Sequence, residues 1–322
     1  MIVGTGHSVP KRILTNADLE KIVNTTDEWI IERTGIRTRH IKEAHEKTSD
    51  FCYKAALQAL EDAEMDPSQL DLILIGTVTG DMPFPSTAVF LQARLGAPQA
   101  AAMDLSAACS GFLYALTTAD AFIAAGYYKR ILAIGAESLS AITDWKDRNT
   151  CVLFGDGAGA VIVAPSDGRR GILSTYMGAD GRLAELLWMP GGGSLHPASH
   201  ESVDQGLHKL KMAGREVFLH AVKSMGEASE RALKAAGLKP QDIDLLIPHQ
   251  ANMRIIDATA KRLNMPREKV YVNIDRFGYT SSDSLPIALN EARRTGRLKP
   301  GMICLMVVFG GGFTWASAVV QF

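Results

Sequence analysis

The chain has 322 residues, 47% of them apolar and 21% charged, which fits a globular protein of about two domains at roughly 100–200 residues each and excludes a disordered one. Its 34 basic and 35 acidic residues leave a net charge of −1, which argues against a general nucleic-acid binder. No run approaches the roughly 18 apolar residues of a membrane span, and the opening MIVGTGHSVPKR lacks a basic-then-apolar leader, so a cytoplasmic protein is expected.

In chain order, residues 59–75 (ALEDAEMDPSQLDLILI) read as a helix end, a proline turn and a buried strand. Residues 103–122 (MDLSAACSGFLYALTTADAF) read as strand, tight turn and long helix, 129–138 (KRILAIGAES) as a buried strand, and 157–165 (GAGAVIVAP) as a closing strand. The polar turn PSDGRRGI (165–172) follows, and the Gly-, Ser-, Pro- and His-rich stretch 189–206 reads as a mobile surface loop. The first pattern then returns. Residues 232–247 (ALKAAGLKPQDIDLLI) repeat 59–75 with a constant offset, so that Pro67 corresponds to Pro240 and Asp71 to Asp244. Residues 273–292 repeat strand–turn–helix, 301–312 a buried strand ending in glycines, and 315–322 a closing strand. Four echoes in one order indicate an internal duplication with halves at 1–168 and 169–322. Alternating strands and helices make each half α/β, with a parallel or mixed sheet covered by helices on both faces.

The cysteines at 52, 109, 151 and 304 form no CxxC pair, so four free thiols are expected. Three sit in apolar runs and read as core. Cys109 instead stands between small residues at the start of a helix, where free N–H groups and the helix dipole stabilise a thiolate; it is a candidate nucleophile or a packed thiol. His249 closes the apolar run LDLLIPHQAN at a strand's carboxyl end, where α/β folds place ligands. It reads as a hydrogen-bond donor or base, or as a loop histidine. Gly310-Gly311-Gly312 follows another strand and reads as an oxyanion hole or a packed turn. GDGAG at 155–159 precedes a strand and not a helix, which excludes a dinucleotide loop. His196 and His200 beside Glu201 lie in a loop, and no metal site is expected there.

DLSAACSGF around Cys109, IPHQAN around His249 and FGGGFTWASA near the C-terminus, in this order, resemble the thiolase superfamily. Within it, TTDEWI (25–30), RTGIRTRH (33–40), FPSTA (84–88), FGDGAGAV (154–161) and MAGREVF (212–218) are similar to the β-ketoacyl-acyl-carrier-protein synthase III family over essentially the whole chain. The resemblance implies the five-layered αβαβα thiolase fold and a cofactor-free, homodimeric enzyme of fatty acid initiation. Cys109 would take an acyl group from acyl-CoA, with the oxyanion on the N–H groups of Cys109 and Gly311. Malonyl-acyl carrier protein would then lose CO₂ and capture the acyl group. His249 matches the family histidine that polarises the malonyl thioester. Trp29 and Arg148 match the adenine-stacking pair, Arg33 a CoA phosphate contact, and Asn252 a pantetheine contact. Phe84 matches a residue reaching the partner subunit's acyl pocket. Arg254, Lys261 and Arg262 match the basic face for carrier protein, whereas Leu219 stands where the family usually has lysine. The family's Gly-Asn-Thr-Ser-Ala-Ala-Ser reads Gly278-Tyr279-Thr280-Ser281-Ser282-Asp283-Ser284 here. Tyr279 thus occupies the asparagine position, and Asp283, replacing a small residue, is expected to orient His249 or raise its pKa. This departure leaves open an acyltransferase that passes the acyl group from Cys109 to a non-malonyl acceptor. A non-catalytic paralogue fits less well, because cysteine, histidine and glycine loop are all present.

Overall fold

The computed structural model describes residues 1–168 and 170–322. The first half supplies strands β1 (Ile2–Ser8), β2 (Leu72–Gly76), β3 (Ala101–Leu105), β4 (Ile131–Ser138) and β5 (Asp156–Val163). They form one sheet in the order β1-β5-β4-β2-β3. The second half supplies β6 (Gly171–Ala179), β7 (Leu245–Pro248), β8 (Ile303–Gly310) and β9 (Thr314–Gln321), in the order β7-β8-β9-β6. The two orders correspond over four strands, and β3 has no counterpart in the second sheet. β2 and β4 pair parallel, as do β7 and β8, and every pairing from there to β1 or to β6 is antiparallel. This is the duplication and the mixed sheet read from the sequence. The halves join between Val163 and Gly171, where Arg169 lies outside the described residues.

Seven helices matter here: α1 (Asp27–Thr34), α2 (Thr48–Asp62), α3 (Thr87–Leu95), α4 (Gly111–Ala124), α5 (Gly214–Ala236), α6 (Met253–Arg262) and α7 (Ser284–Arg294). α2 and α3 cover the outer face of the first sheet, and α5 and α6 that of the second. α4 and α7 lie between the sheets, touching both, which completes the layers helix–sheet–helix–sheet–helix. A helix buried on all sides must be apolar on all sides. α4 meets this over its first turns, with Phe112, Leu113, Ala115, Leu116 and Ala119 all without exposure, while Thr117, Thr118 and Asp120 on its other side stay partly exposed. Glycines in the facing strands let the central segments come close. A Cβ on Gly135 would lie 2.3 Å from the Ser282 carbonyl oxygen, and one on Gly159 2.7 Å from the Ile287 nitrogen. Much of the glycine surplus is this packing.

Two expectations are corrected. Residues 273–275 are not a strand: Ile274–Phe277 is a short helix, and only Val270 bridges β7, at Leu246. The chain leaves its own sheet there and bonds to the other half, with Tyr279 N–H donating to Leu153 O (2.9 Å) and Gly155 N–H to Tyr279 O (3.0 Å). β3 is an edge strand, partly exposed along its length. The stretch 189–206 carries a short helix, His200–Asp204, capped by Ser199. Cys52, Cys151 and Cys304 are free and buried, as read from their apolar context. Among the described residues no helix is long and apolar enough to cross a membrane.

Candidate active site

Cys109 lies in a 3-10 turn, Ala108–Ser110, between β3 and α4. Ala108 has φ +46°, a left-handed conformation that a side chain adopts at a cost. The glycine loop clamps this turn. A Cβ on Gly310 would stand 2.8 Å from the Cys109 nitrogen, so only glycine fits. The Thr314 hydroxyl donates to Ala107 O at 2.9 Å and lies 3.1 Å from Ser110 Oγ. Helix-dipole reasoning alone suggests a low thiol pKa. Here burial dominates and pushes the Cys109 thiol up, opposed by the Ser281 and Tyr279 hydroxyls and the Gly311 N–H.

His249 follows β7, its N–H bonded to Val307 O at 2.8 Å. Nδ1 lies 2.8 Å from Ser284 Oγ, whereas Nε2 is buried without a partner. Burial lowers its pKa to about 3, so the ring is neutral at pH 7. A Ser284 hydroxyl donated to Nδ1 leaves the proton on Nε2, aimed at whatever enters the site. Asp283 does not orient this histidine; Ser284 does. At the N-terminus of α7, Ser284 turns its hydroxyl to the ring, while Asp283 turns toward Gly157, whose Cβ would lie 2.7 Å from its Oδ2. Neither Asp283 oxygen has a partner of normal geometry, and burial pushes its carboxyl well above the usual range.

Tyr279 is buried, with its hydroxyl 2.9 Å from the Cys109 sulfur. Its ring packs on Phe154 (5.2 Å between centroids) and edge-on to His249 (5.0 Å). The asparagine-to-tyrosine exchange is thus accommodated with the hydroxyl on the nucleophile. Tyr279 also stands between two cavities. One, about 270 Å³, is lined by Cys109, Ile142, Leu187, Met189, Ser281 and Gly311 and is largely apolar. The other, about 100 Å³, is lined by His249, Met225, Ala251 and Asn252. Beyond it opens a cleft of about 740 Å³.

That cleft collects Trp29, Arg33, Asn252 and Arg254. The Arg33 and Arg148 guanidinium carbons lie 4.8 and 4.7 Å from the Trp29 ring centre. A base stacked between Trp29 and Arg148 therefore requires the guanidinium to move off the ring. Asn252 caps α6, accepting from Arg254 N–H (2.9 Å) and donating to Arg33 O (3.0 Å), so its polar atoms already hold α6 to α1. Arg254 and Lys261 are exposed on α6. Arg262 lies over Gly226 and pairs with Glu230 at 3.1 Å, which ties it to α5. Leu219 is 60% exposed at the mouth of the cleft. Phe84 is 85% exposed, on a loop that lines neither cavity. Among the described residues no His, Cys, Asp or Glu cluster could hold a metal ion. Sequence reasoning missed Ser281, Ser284 and Glu137. The first two follow Tyr279 in the same motif and were legible by position; Glu137 was hidden in an apolar strand.

Comparison with known proteins matches this arrangement. The profile for 3-oxoacyl-[acyl-carrier-protein] synthase III fits residues 103–181, and that for its C-terminal part residues 233–322. The β-ketoacyl-[acyl-carrier-protein] synthase III of Caldanaerobacter subterraneus is 55% identical over 320 residues, covering 99% of this chain and 97% of the relative. The chain belongs to that family. The family member from Xanthomonas euvesicatoria is 53% identical and covers 100% of this chain and 98% of its own. Among solved structures, 3-oxoacyl-[acyl-carrier-protein] synthase III from Aquifex aeolicus is 50% identical, with a TM-score of 0.92 over 100% of this chain and 99% of that one. The priming β-ketosynthase of the R1128 polyketide pathway is 35% identical, with a TM-score of 0.92, covering 99% of this chain and 95% of its own. The fold is the family's thiolase fold, and the protein is a condensing acyltransferase of fatty acid initiation.

Proposed function

We propose that Cys109 carries an acyl group taken from an acyl-CoA and delivers it to a carbanion made by decarboxylating malonyl-acyl carrier protein, in the cytoplasm and with no cofactor. The observation that carries this reading is the Tyr279 hydroxyl on the Cys109 sulfur, its ring edge-on to His249, whose Nε2 has no partner, behind a cleft lined by Trp29, Arg33 and Arg254. The acyl chain lies in the apolar cavity of about 270 Å³. The thioester oxygen of the acyl-enzyme's tetrahedral intermediate sits on the N–H groups of Cys109 and Gly311. The malonyl thioester oxygen takes hydrogen bonds from His249 Nε2 and, in place of the family asparagine, from the Tyr279 hydroxyl. CoA lies along the cleft with Arg33 on its phosphates and Trp29 against its base. Asn252 holds the wall along which the pantetheine passes. Carrier protein, which is acidic, docks on Arg254 and Lys261, with Arg262 contributing once it leaves Glu230. The exposed Phe84 and the open edge of β3 suit a homodimer in which Phe84 caps the partner's acyl cavity.

Intact-protein mass after incubation with short acyl-CoAs tests the first step: the adduct appears on native protein and is absent from Cys109→Ser. Release of CO₂ from malonyl-acyl carrier protein by the acylated enzyme tests the second. Acylation without CO₂ release would replace this reading with transfer to a non-malonyl acceptor, which the bulk of Tyr279 beside the sulfur would then favour.

A further inference from the structure

The thiol proton of Cys109 needs an acceptor that the residues described so far do not supply. His249 has Nδ1 engaged by Ser284, and with that hydroxyl donating to Nδ1 its proton stands on Nε2, which is then no acceptor. Ser281 lines the same cavity as Cys109, and its hydroxyl favours the thiolate. Ser281 is a non-glycine residue held at φ +75°, a conformation retained only where the surroundings enforce it. Its hydroxyl lies 3.5 Å from Oε1 of Glu137. Glu137, at the end of β4, is completely buried. Its Oε2 accepts from the Thr79 hydroxyl, from Thr79 N–H (3.1 Å), from Val78 N–H (3.2 Å) and from the Thr77 hydroxyl (3.4 Å). Oε1 faces only Val78 N–H (3.3 Å) and Ser281. Every partner is neutral. The titratable groups that feel its charge are Cys109, Tyr279 and Asp283. Burial raises the Glu137 carboxyl to about 8, so it changes protonation in the working range of an enzyme.

We propose that Glu137 takes the thiol proton of Cys109 through the Ser281 hydroxyl when the acyl-enzyme forms, and returns it when the thiolate is released. In acylation the S–H bond breaks. Ser281 receives that proton and passes its own to Glu137. Sulfur bonds the acyl carbon, and CoA leaves as a thiolate that takes a proton from water. In condensation the new C–C bond forms as the acyl C–S bond breaks. The electron pair stays on sulfur, and Glu137 sends its proton back through Ser281. Glu137 acts through Ser281 and is therefore a positioning residue for the proton.

The inference rests on Cys109 being the acylated nucleophile, but its test does not need acyl transfer. Iodoacetamide alkylation of Cys109, followed by peptide mass as a function of pH, is expected to accelerate with an inflection near pH 8 set by Glu137. Glu137→Gln and Ser281→Ala should each remove the inflection and slow alkylation at pH 8–9 about tenfold. A purely electrostatic carboxylate would act in the opposite sense, because its charge raises the thiol pKa. Faster alkylation in Glu137→Gln, or an unchanged profile, would overturn the proposal. If Glu137→Gln does not fold, Ser281→Ala, which leaves the Thr77–Thr79 donors in place, decides it. Native enzyme that shows the inflection but takes no acyl group from acyl-CoA would sink the acyl-enzyme reading and leave the proton route standing.

Discussion

At Tyr279 two effects compete, and they can be separated. The phenol offers one hydrogen-bond donor, and it adds bulk directly over the nucleophile. Tyr279→Phe keeps the bulk and removes the donor. It is expected to slow acylation by removing a hydroxyl that stabilises the Cys109 thiolate, and, once acylated, to lose at least about tenfold in CO₂ release, since one oriented donor to a developing oxyanion is worth 10²–10³ at best. Tyr279→Asn removes the bulk and keeps a donor, and is expected to match or exceed native condensation. Single-turnover acylation and CO₂ release measured on both variants separate the steps; lower CO₂ release in Tyr279→Asn than in native enzyme would show that the tyrosine is not a stand-in for asparagine. The residue was legible in the sequence as a departure from pattern. Its position was not, because the phenol reaches the sulfur only after Tyr279 has bonded across to Leu153 and Gly155 of the other half. Asp283 shows the converse. Proximity in sequence to the site suggested a partner for His249, but adjacent residues at a helix start point in different directions, and Ser284 took that role.

Among the elements, the central helices are held by glycine contacts and tolerate little added volume. Gly159→Ala drives a methyl into the backbone of α7 at Ile287. The expected loss is about 1–3 kcal/mol of stability, measured by urea unfolding, with the same change at exposed Gly193, which has open space around it, serving as a neutral control. The elements themselves were largely legible. β2 and β7 come from the paired segments after Pro67 and Pro240, and β4, β5, β8 and β9 from apolar runs of strand length. The exception, residues 273–275, reads Asn-Ile-Asp, and just beyond it the chain bonds at Tyr279 to residues some 120 positions away in sequence. No local pattern can report that.

At the scale of the whole molecule, two fully buried carboxyls matter beside the site: Asp283, just ahead of α7, and Glu137, at the end of β4. Both are raised by burial. Below about pH 4 both are protonated in folded and unfolded chains alike. As pH rises through the unfolded values, the unfolded chain ionises and the folded one does not, so the stability they contribute is lost; for Glu137 the loss continues up to about pH 8. Asp283→Ala removes one of these groups together with its unpartnered oxygens. It is expected to stabilise the protein by about 1–3 kcal/mol at pH 8 and by less at pH 5, with urea midpoints at the two pH values as the check. A gain that is equal at both values would show that volume, not ionisation, controls the site. We place the boundary between the halves at 168/169, but function does not respect it: Cys109 belongs to one half, and His249, Tyr279 and the glycine loop to the other.

The phenol between the two cavities makes the site a pair of chambers in series. A small apolar molecule in the Cys109 chamber and a second one beside His249 touch different walls, so both can be bound at once without competing. Joining them by a short linker gains affinity only after the ring has been pushed aside. Opening the partition by Tyr279→Ala should turn additive inhibition by two such fragments into preferential binding of the linked compound.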